Sequence, residues 1–182
     1  GLINGRGDGR FSPDDDITGA EAVKLAACLH SIYETGSADF VQGDPWWQVY
    51  ADYCLENSIM EDAFHDYSNA ISRAQFAVLL AAALPDEVLS EMNAIADEAI
   101  PDVHVSDSYG PAVYKLYRAG IFTGTDSTGA FHPNTNIRRS EVAAVITRMV
   151  RVSERKSVTL GASSGSVLTA EQVYAKCAPS VF

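Results

Sequence analysis

The chain has 182 residues, of which 47% are hydrophobic, and its formal net charge is −11 at pH 7. This length and apolar content are typical of one globular domain, and the longest apolar run, residues 76–84, is far shorter than the roughly 20 residues that span a membrane. So acidic a chain is also a poor partner for nucleic acid, because phosphate binding requires clustered lysine and arginine.

A first helix is predicted from Thr18 to about Tyr33. Thr18 and Glu21 have the spacing of a capping box, in which a hydroxyl and a carboxylate accept hydrogen bonds from the free amides of a helix start. Cys28 lies at an apolar helical position, so we expect a small buried thiol rather than a ligand or a nucleophile. The apolar stripe of this helix recurs at spacings of three and four and comprises Ala22, Val23, Leu25, Ala26, Leu29 and Ile32.

Helices of a second type are predicted at residues 46–57 and 108–119. The first contains Cys54 at an apolar position, and the second stops at Gly120, a typical C-cap residue. Between them, Ser72 and Gln75 repeat the capping box before another apolar helix. Residues 85–99 are predicted to form an inserted amphipathic helix, with Val88, Leu89, Met92 and Ile95 on one face.

A final apolar helix is predicted to begin at Arg138, where an arginine replaces the capping hydroxyl. Residues 153–167 have the Ser/Gly-rich composition of a linker. Residues 168–182 are predicted to be a C-terminal helix or the start of a following domain. We expect this last helix, or one from a second copy of the chain, to cover an apolar face of the first helix, with Tyr174 against Leu25 or Leu29.

One short segment occurs three times in the chain, as Ile17–Glu21, Ile71–Gln75 and Ile137–Glu141, and each copy opens an apolar helical pattern. Copies one and three are also preceded by a glycine pair, at Gly1–Gly5 and Gly120–Gly124, then by a Gly/Asp loop and Phe-x-Pro. The middle copy has lost the glycines and the Phe-x-Pro. Internal repetition of this kind indicates a repeat architecture.

This pattern resembles the S-layer homology family, whose repeat runs from an aromatic-bearing helix through Gly-hydrophobic-x-x-Gly, a Gly/Asp loop and Phe-x-Pro to Ile-Thr-Arg-Ala-Glu at the start of a second helix. The resemblance covers about residues 1–152. It implies an all-α fold in which three degenerate helix-loop-helix repeats form a pseudo-threefold bundle with ligand grooves between neighbours. The expected repeats are residues 1–37, which lack the first helix, 38–84 and 100–152.

The resemblance implies a non-catalytic module without cofactors that holds a secreted protein to the wall of a Gram-positive bacterium. Its expected partner is the secondary cell-wall polysaccharide, and its expected location is the extracellular cell surface. Residues 168–182 are also similar to the lead-in of HtrA-type, trypsin-like serine proteases, so a protease domain is expected beyond residue 182. The four histidines are scattered and match no nucleophile or metal motif, so catalysis within this chain is not expected.

The resemblance assigns the polymer-contacting arginine to Arg73 and Arg139, and Gly19 stands at that position in copy one. A guanidinium at a helix start suits the carboxylate of an acidic sugar. The alternative is that both arginines form salt bridges between repeats, with Glu21, Glu141 or loop aspartates as partners. The other candidate groove residues are Trp46, Trp47, Tyr109 and Gly124.

Two functions therefore stay open from the sequence. The first is a carbohydrate-binding anchor that uses these residues. The second is a structural or protein-interaction module of a secreted protease, whose repeats have lost carbohydrate binding. Self-association through the truncated first repeat is a further possibility.

Overall fold

The computed structural model describes residues 12–160, and this part of the chain contains five α-helices and no strand. The helices are α1 (Gly19–Thr35), α2 (Gln48–Glu56), α3 (Arg73–Ala82), α4 (Gly110–Arg118) and α5 (Arg139–Val150), and a 3₁₀ turn follows at Val152–Glu154. The predicted all-α class is confirmed. In residues 12–160 no helix combines the length and the apolar character that crossing a membrane requires.

The helices that follow the repeated segment begin with the predicted caps. The Thr18 hydroxyl accepts from the Glu21 amide at 3.3 Å, and the Glu21 carboxylate accepts from the Thr18 amide at 2.9 Å. Ser72 and Gln75 make the same pair of bonds at the start of α3. At α5 only half of the box remains, because an arginine side chain offers no acceptor; the Glu141 carboxylate still accepts from the Arg138 amide at 3.2 Å.

Three isoleucines, one from each copy, form a closed ring of backbone hydrogen bonds. The amide of Ile17 donates to the carbonyl of Ile137 at 3.1 Å, and the amide of Ile137 donates to Ile71 at 3.3 Å. The amide of Ile71 then donates to Ile17 at 3.0 Å. All three side chains are buried. The ring brings together segments that lie up to about 120 residues apart in sequence.

The same junctions supply partners for the first helical amides. Such amides have no intrahelical acceptor, and here each takes a carbonyl from the loop of another copy. The bonds are Gly19 to Asn69 at 2.9 Å, Arg73 to Thr135 at 2.8 Å and Arg139 to Asp15 at 2.8 Å. The first amide of each of these helices therefore has its acceptor in a second copy. Whether the whole repeats form a pseudo-threefold bundle stays a prediction.

Helices α1 and α2 pack against each other, as do α3 and α4, over a shared apolar core. Cys28 and Cys54 are both buried free thiols, as predicted. The Cys54 thiol lies 3.6 Å from the carbonyl of Val23, to which it donates, and burial raises its pKa to about 12. These thiols contribute packing volume rather than reactivity.

The prediction of a helix at residues 85–99 is wrong, because the backbone there forms turns and irregular structure. The predicted apolar face is buried only in part, since Leu89 and Ile95 are buried whereas Met92 is 50% exposed. The amides of Met92 and Asn93 both donate to the carbonyl of Arg118 at the end of α4, at 2.8 and 2.9 Å. These tertiary bonds replace the intrahelical ones that the pattern predicted.

The predicted linker is wrong for residues 153–160, which pack against the domain. The Lys156 amide donates to the carbonyl of Gly120 at 2.9 Å, and the Val158 amide donates to Asn93 Oδ1 at 3.0 Å. Gly120 has φ +71°, and a Cβ there would lie 2.6 Å from the Lys156 carbonyl oxygen, so the predicted C-cap needs glycine for two reasons. The predicted C-terminal helix, the contact of Tyr174 and the rest of the linker lie outside the described residues.

Candidate functional site

The two arginines that open α3 and α5 form ion pairs between copies. Arg73 Nη1 pairs with the Glu141 carboxylate, and Arg139 Nη1 lies 2.5 Å from Glu21 Oε1. The arginine side chains are only 4% and 2% exposed, whereas the two glutamates are 36% and 28% exposed. The structure thus contains the inter-repeat salt bridges that the sequence left as one of two alternatives.

Arg73 is fixed by more than its ion pair. Its Nε donates to the carbonyl of Phe131 at 2.7 Å. Its guanidinium carbon lies 5.1 Å from the ring centre of Phe131 and 5.7 Å from that of Phe122, within the range of cation–π attraction. The guanidinium is therefore held in one orientation by an oxygen, a carboxylate and two aromatic rings.

The third junction lacks both charges. By the order of the copies, Gly19 should supply the arginine and Gln75 the carboxylate, and both residues line the same hollow. Phe64 takes the vacated space, because a Cβ on Gly19 would lie 3.1 Å from its Cδ2 atom. Losing both partners leaves no buried charge unpaired, which is far less costly than losing one. In the sequence, the missing ion pair is indicated by Gly19 in place of the repeat arginine together with Gln75 in place of the repeat glutamate.

A small groove, the Arg73 groove, lies between α5 and the loop that follows α4. It has a volume of about 130 Å³ and is lined by Arg73, Phe122, Thr123, Gly124, Glu141, Ala144, Val145 and Arg148. Arg148 is half-buried and donates to the carbonyl of Ile121 at 2.8 Å; burial lowers its pKa, but a guanidinium remains charged. Two guanidinium groups and one carboxylate therefore line this groove.

Gly124 belongs in this groove for a steric reason. Its φ is +82°, and a Cβ would lie 2.6 Å from the Cα of Gly129. Only glycine is tolerated at that turn, and the wall of the groove there is bare backbone. The corresponding segment of copy one, residues 3–5, lies outside the described residues.

A larger groove, the middle groove, occupies the equivalent place in copy two. Its volume is about 330 Å³, and it is lined by Ser58, Ile59, Met60, Glu61, Asp62, Phe64, Ala74, Gln75, Val78, Leu79, Ala82, Ser108 and Tyr109. Tyr109 is partly buried there, and desolvation raises the pKa of its hydroxyl. The lining contains no arginine and no lysine, in contrast to the Arg73 groove.

The two tryptophans line neither groove. Trp46 is 39% exposed, and Lys24 Nζ lies 5.9 Å from the centre of its ring. Trp47 is half-buried and stacks on Tyr67, with ring centres 4.1 Å apart and an interplanar angle of 15°. Of the predicted site residues, the structure thus brings together Arg73 and Gly124 and places Tyr109 in the middle groove.

The Gly/Asp loop of copy three is explained by its own hydrogen bonds. Asp126 Oδ1 accepts from the amides of Thr128 and Ala130 at 2.9 and 3.2 Å, and bonds from Thr128 lower the pKa of this carboxyl to about 2. The Asp102 carboxylate accepts from the amides of Phe131 and His132. Among residues 12–160, no group of three or more His, Cys, Asp or Glu side chains could hold a metal ion.

Comparison with protein families gives a match to the S-layer homology domain, over residues 1–23 and 99–143. These segments fall on copies one and three, which carry the glycine pairs and the Phe-x-Pro, so the match supports the resemblance. Domains of this family are generally non-catalytic modules that anchor proteins to the cell wall, which indicates an association with the cell surface. No curated protein matches the chain.

Proposed function

We propose that this chain anchors a secreted protein to a Gram-positive cell wall by binding acidic groups of a secondary cell-wall polysaccharide in the Arg73 groove. The observation that carries the proposal is the pair of guanidinium groups, Arg73 and Arg148, beside bare backbone at Gly124. Such a cluster is notable on a chain whose net charge is −11. Guanidinium forks match the geometry of a sugar carboxylate.

The arrangement favours a preorganised site. Arg73 is already held by Glu141 and Phe131, so ordering it on binding costs little further entropy. Arg148 is the more accessible of the two cations and is the expected direct contact. A volume of about 130 Å³ suits one acidic substituent, with the remaining sugars lying over the surface.

A second candidate function is a structural or protein-interaction module. The specific observation in its favour is that Arg73 and Arg139 are almost fully buried and join neighbouring copies. In that case the arginines stabilise the fold and the grooves take other partners. A protease domain after residue 182 also stays a proposal, which rests only on the sequence of residues 168–182.

Co-sedimentation with purified Gram-positive sacculi, before and after acid removal of secondary polymers, tests the anchor. The informative variant is Ala144→Glu, because Ala144 is exposed, lines the groove and lies one turn before Arg148. A glutamate there pairs with Arg148 at i, i+4 and repels an anionic ligand. We expect wild-type binding that stripping abolishes and that Ala144→Glu weakens about tenfold.

Val150→Glu is the matched control, because Val150 is 55% exposed on the same helix and lies outside the groove. It should bind like the wild type, and thermal unfolding should show that both variants are folded. The anchor proposal is contradicted if intact walls fail to retain the wild type. It is also contradicted if Ala144→Glu binds as well as Val150→Glu.

A further inference from the structure

The middle groove and the Arg73 groove occupy the same place in successive copies but have opposite chemistry. At matched positions the middle groove has Asp62 for Gly124, Gln75 for Glu141 and Ala82 for Arg148. Its lining residues include two exposed carboxylates, Glu61 and Asp62, and no cation. An anionic polymer that fits the first groove is therefore repelled from the second.

The inner surface of the middle groove is apolar and reachable. Val78 is 39% exposed although it lies on α3 among core residues, and the neighbouring Leu79 and Met60 continue the apolar surface inward. Phe64 and Tyr109 are half-buried at its sides. At about 330 Å³ the groove reaches the size of ordinary ligand pockets, roughly 300–1,000 Å³. Apolar surface with a polar rim is typical of interaction sites.

The acidic character extends past the groove itself. Asp107 lies two residues before Tyr109 and interacts with its hydroxyl, and the exposed Glu61 and Asp62 lie on the loop after α2. An occupant that places apolar side chains on Val78 would thus meet the carboxylates of Glu61 and Asp62. Charge complementarity selects an occupant with apolar groups flanked by cations.

We propose that the middle groove docks an amphipathic helix of another protein, with apolar side chains at i, i+3 and i+4 on Val78 and Leu79 and with lysine or arginine next to Glu61 and Asp62. Helices commonly bind in apolar grooves in this way. The lining residues differ from those of the Arg73 groove. Polymer binding and helix docking can therefore each fail without the other.

Fluorescence anisotropy with labelled peptides of about 15 residues tests the proposal. The first probe is an amphipathic helix of leucine and lysine; a second replaces lysine by glutamate, and a third replaces leucine by serine. We expect the first probe to bind and the other two to bind at least about tenfold more weakly. Failure of the leucine–lysine helix to bind, or equal binding of the serine–lysine peptide, would overturn the proposal.

Variants separate docking from general attraction to an acidic chain. Val78→Asp should weaken the leucine–lysine probe about tenfold, because it places a charge under the apolar face of the peptide. Val152→Asp is the matched control at a site that is 69% exposed and outside the groove, and it should leave binding unchanged. Equal effects of the two substitutions would overturn the proposal.

The rim is tested by Glu61→Gln/Asp62→Asn against Glu34→Gln/Asp39→Asn, two double variants with the same change in net charge. The first should weaken binding and reduce its dependence on salt, whereas the second should do neither. Equal weakening would mean that only the total charge matters, which contradicts docking at this groove. Val78→Asp should also keep wild-type binding to sacculi, so that loss of helix docking is distinguished from loss of polymer anchoring.

Discussion

Replacing Arg73 by alanine should lower the free energy of unfolding by about 2–4 kcal/mol. Removing one partner of a buried ion pair typically costs about 3–5 kcal/mol, but Glu141 is 36% exposed and water can rehydrate part of its charge. The carbonyl of Phe131 also loses its donor, at about 1 kcal/mol, and the contact with two aromatic rings is lost. Rehydration of Glu141 lowers the cost of the broken pair by more than these two smaller losses add, so the estimate lies somewhat below that for a fully buried pair.

Urea unfolding followed by circular dichroism measures this change, and Arg138→Ala is the matched control. Like Arg73, Arg138 lies at a helix start, in its case that of α5. Its side chain is exposed, however, so its loss should cost less than about 0.5 kcal/mol. A double-mutant cycle with Glu141→Gln should give a coupling of about 1–3 kcal/mol. The reasoning is refuted if Arg73→Ala destabilises the protein no more than Arg138→Ala does.

Three further predictions follow from other sites. Gly19→Arg should destabilise the chain by about 1–3 kcal/mol in urea unfolding, because the new side chain meets Phe64 and because Gln75 stands where the other two junctions have a glutamate; unchanged stability would contradict this reasoning. The Asp126 carboxyl has a folded pKa of about 2, below its unfolded value, so its stabilisation is present above about pH 4 and is lost as the pH falls towards 2. In Asp126→Asn, the free energy of unfolding should therefore fall less steeply between about pH 4 and pH 2, and equal slopes for the two proteins would contradict this. The thiols of Cys28 and Cys54 are buried and have raised pKa values, so iodoacetamide should not alkylate them until urea unfolds the chain. Site-resolved mass spectrometry measures this, and rapid alkylation of the folded protein would contradict their burial.

Sequence patterns were sufficient to predict the positions of the five α-helices in residues 12–160, because each of these helices has strong local signals. Thr18 and Ser72 identified two helix starts, and apolar residues at spacings of three and four identified the helices themselves. The same rule failed at residues 85–99, where an equally regular pattern forms no helix and Met92 of its apolar face is exposed. Periodicity is a local signal, whereas the backbone of this segment is set by bonds to the carbonyl of Arg118, which lies in a later element.

The site was predictable only in part, because it is made where copies meet. The repeated motif indicated Arg73 and Gly124 without the structure, but it could not decide between a salt bridge and a ligand contact. That decision depends on Glu141, which is 68 residues away in sequence. The middle groove carried no motif at all, since its character comes from residues that depart from the repeat, such as Asp62 and Ala82.

The ring of isoleucine hydrogen bonds limits the number of repeats that can take part in it. In an open stack of repeats, the outermost unit keeps free groups to which another unit can be added. Here the amides of Ile17, Ile71 and Ile137 all donate within the ring, so a fourth repeat could enter the ring only by breaking one of the three bonds. The ring itself is therefore complete with three members. For the proposed anchor, stronger attachment to a multivalent wall would then come from a second complete domain or a second chain, with an avidity that depends on the linker between them.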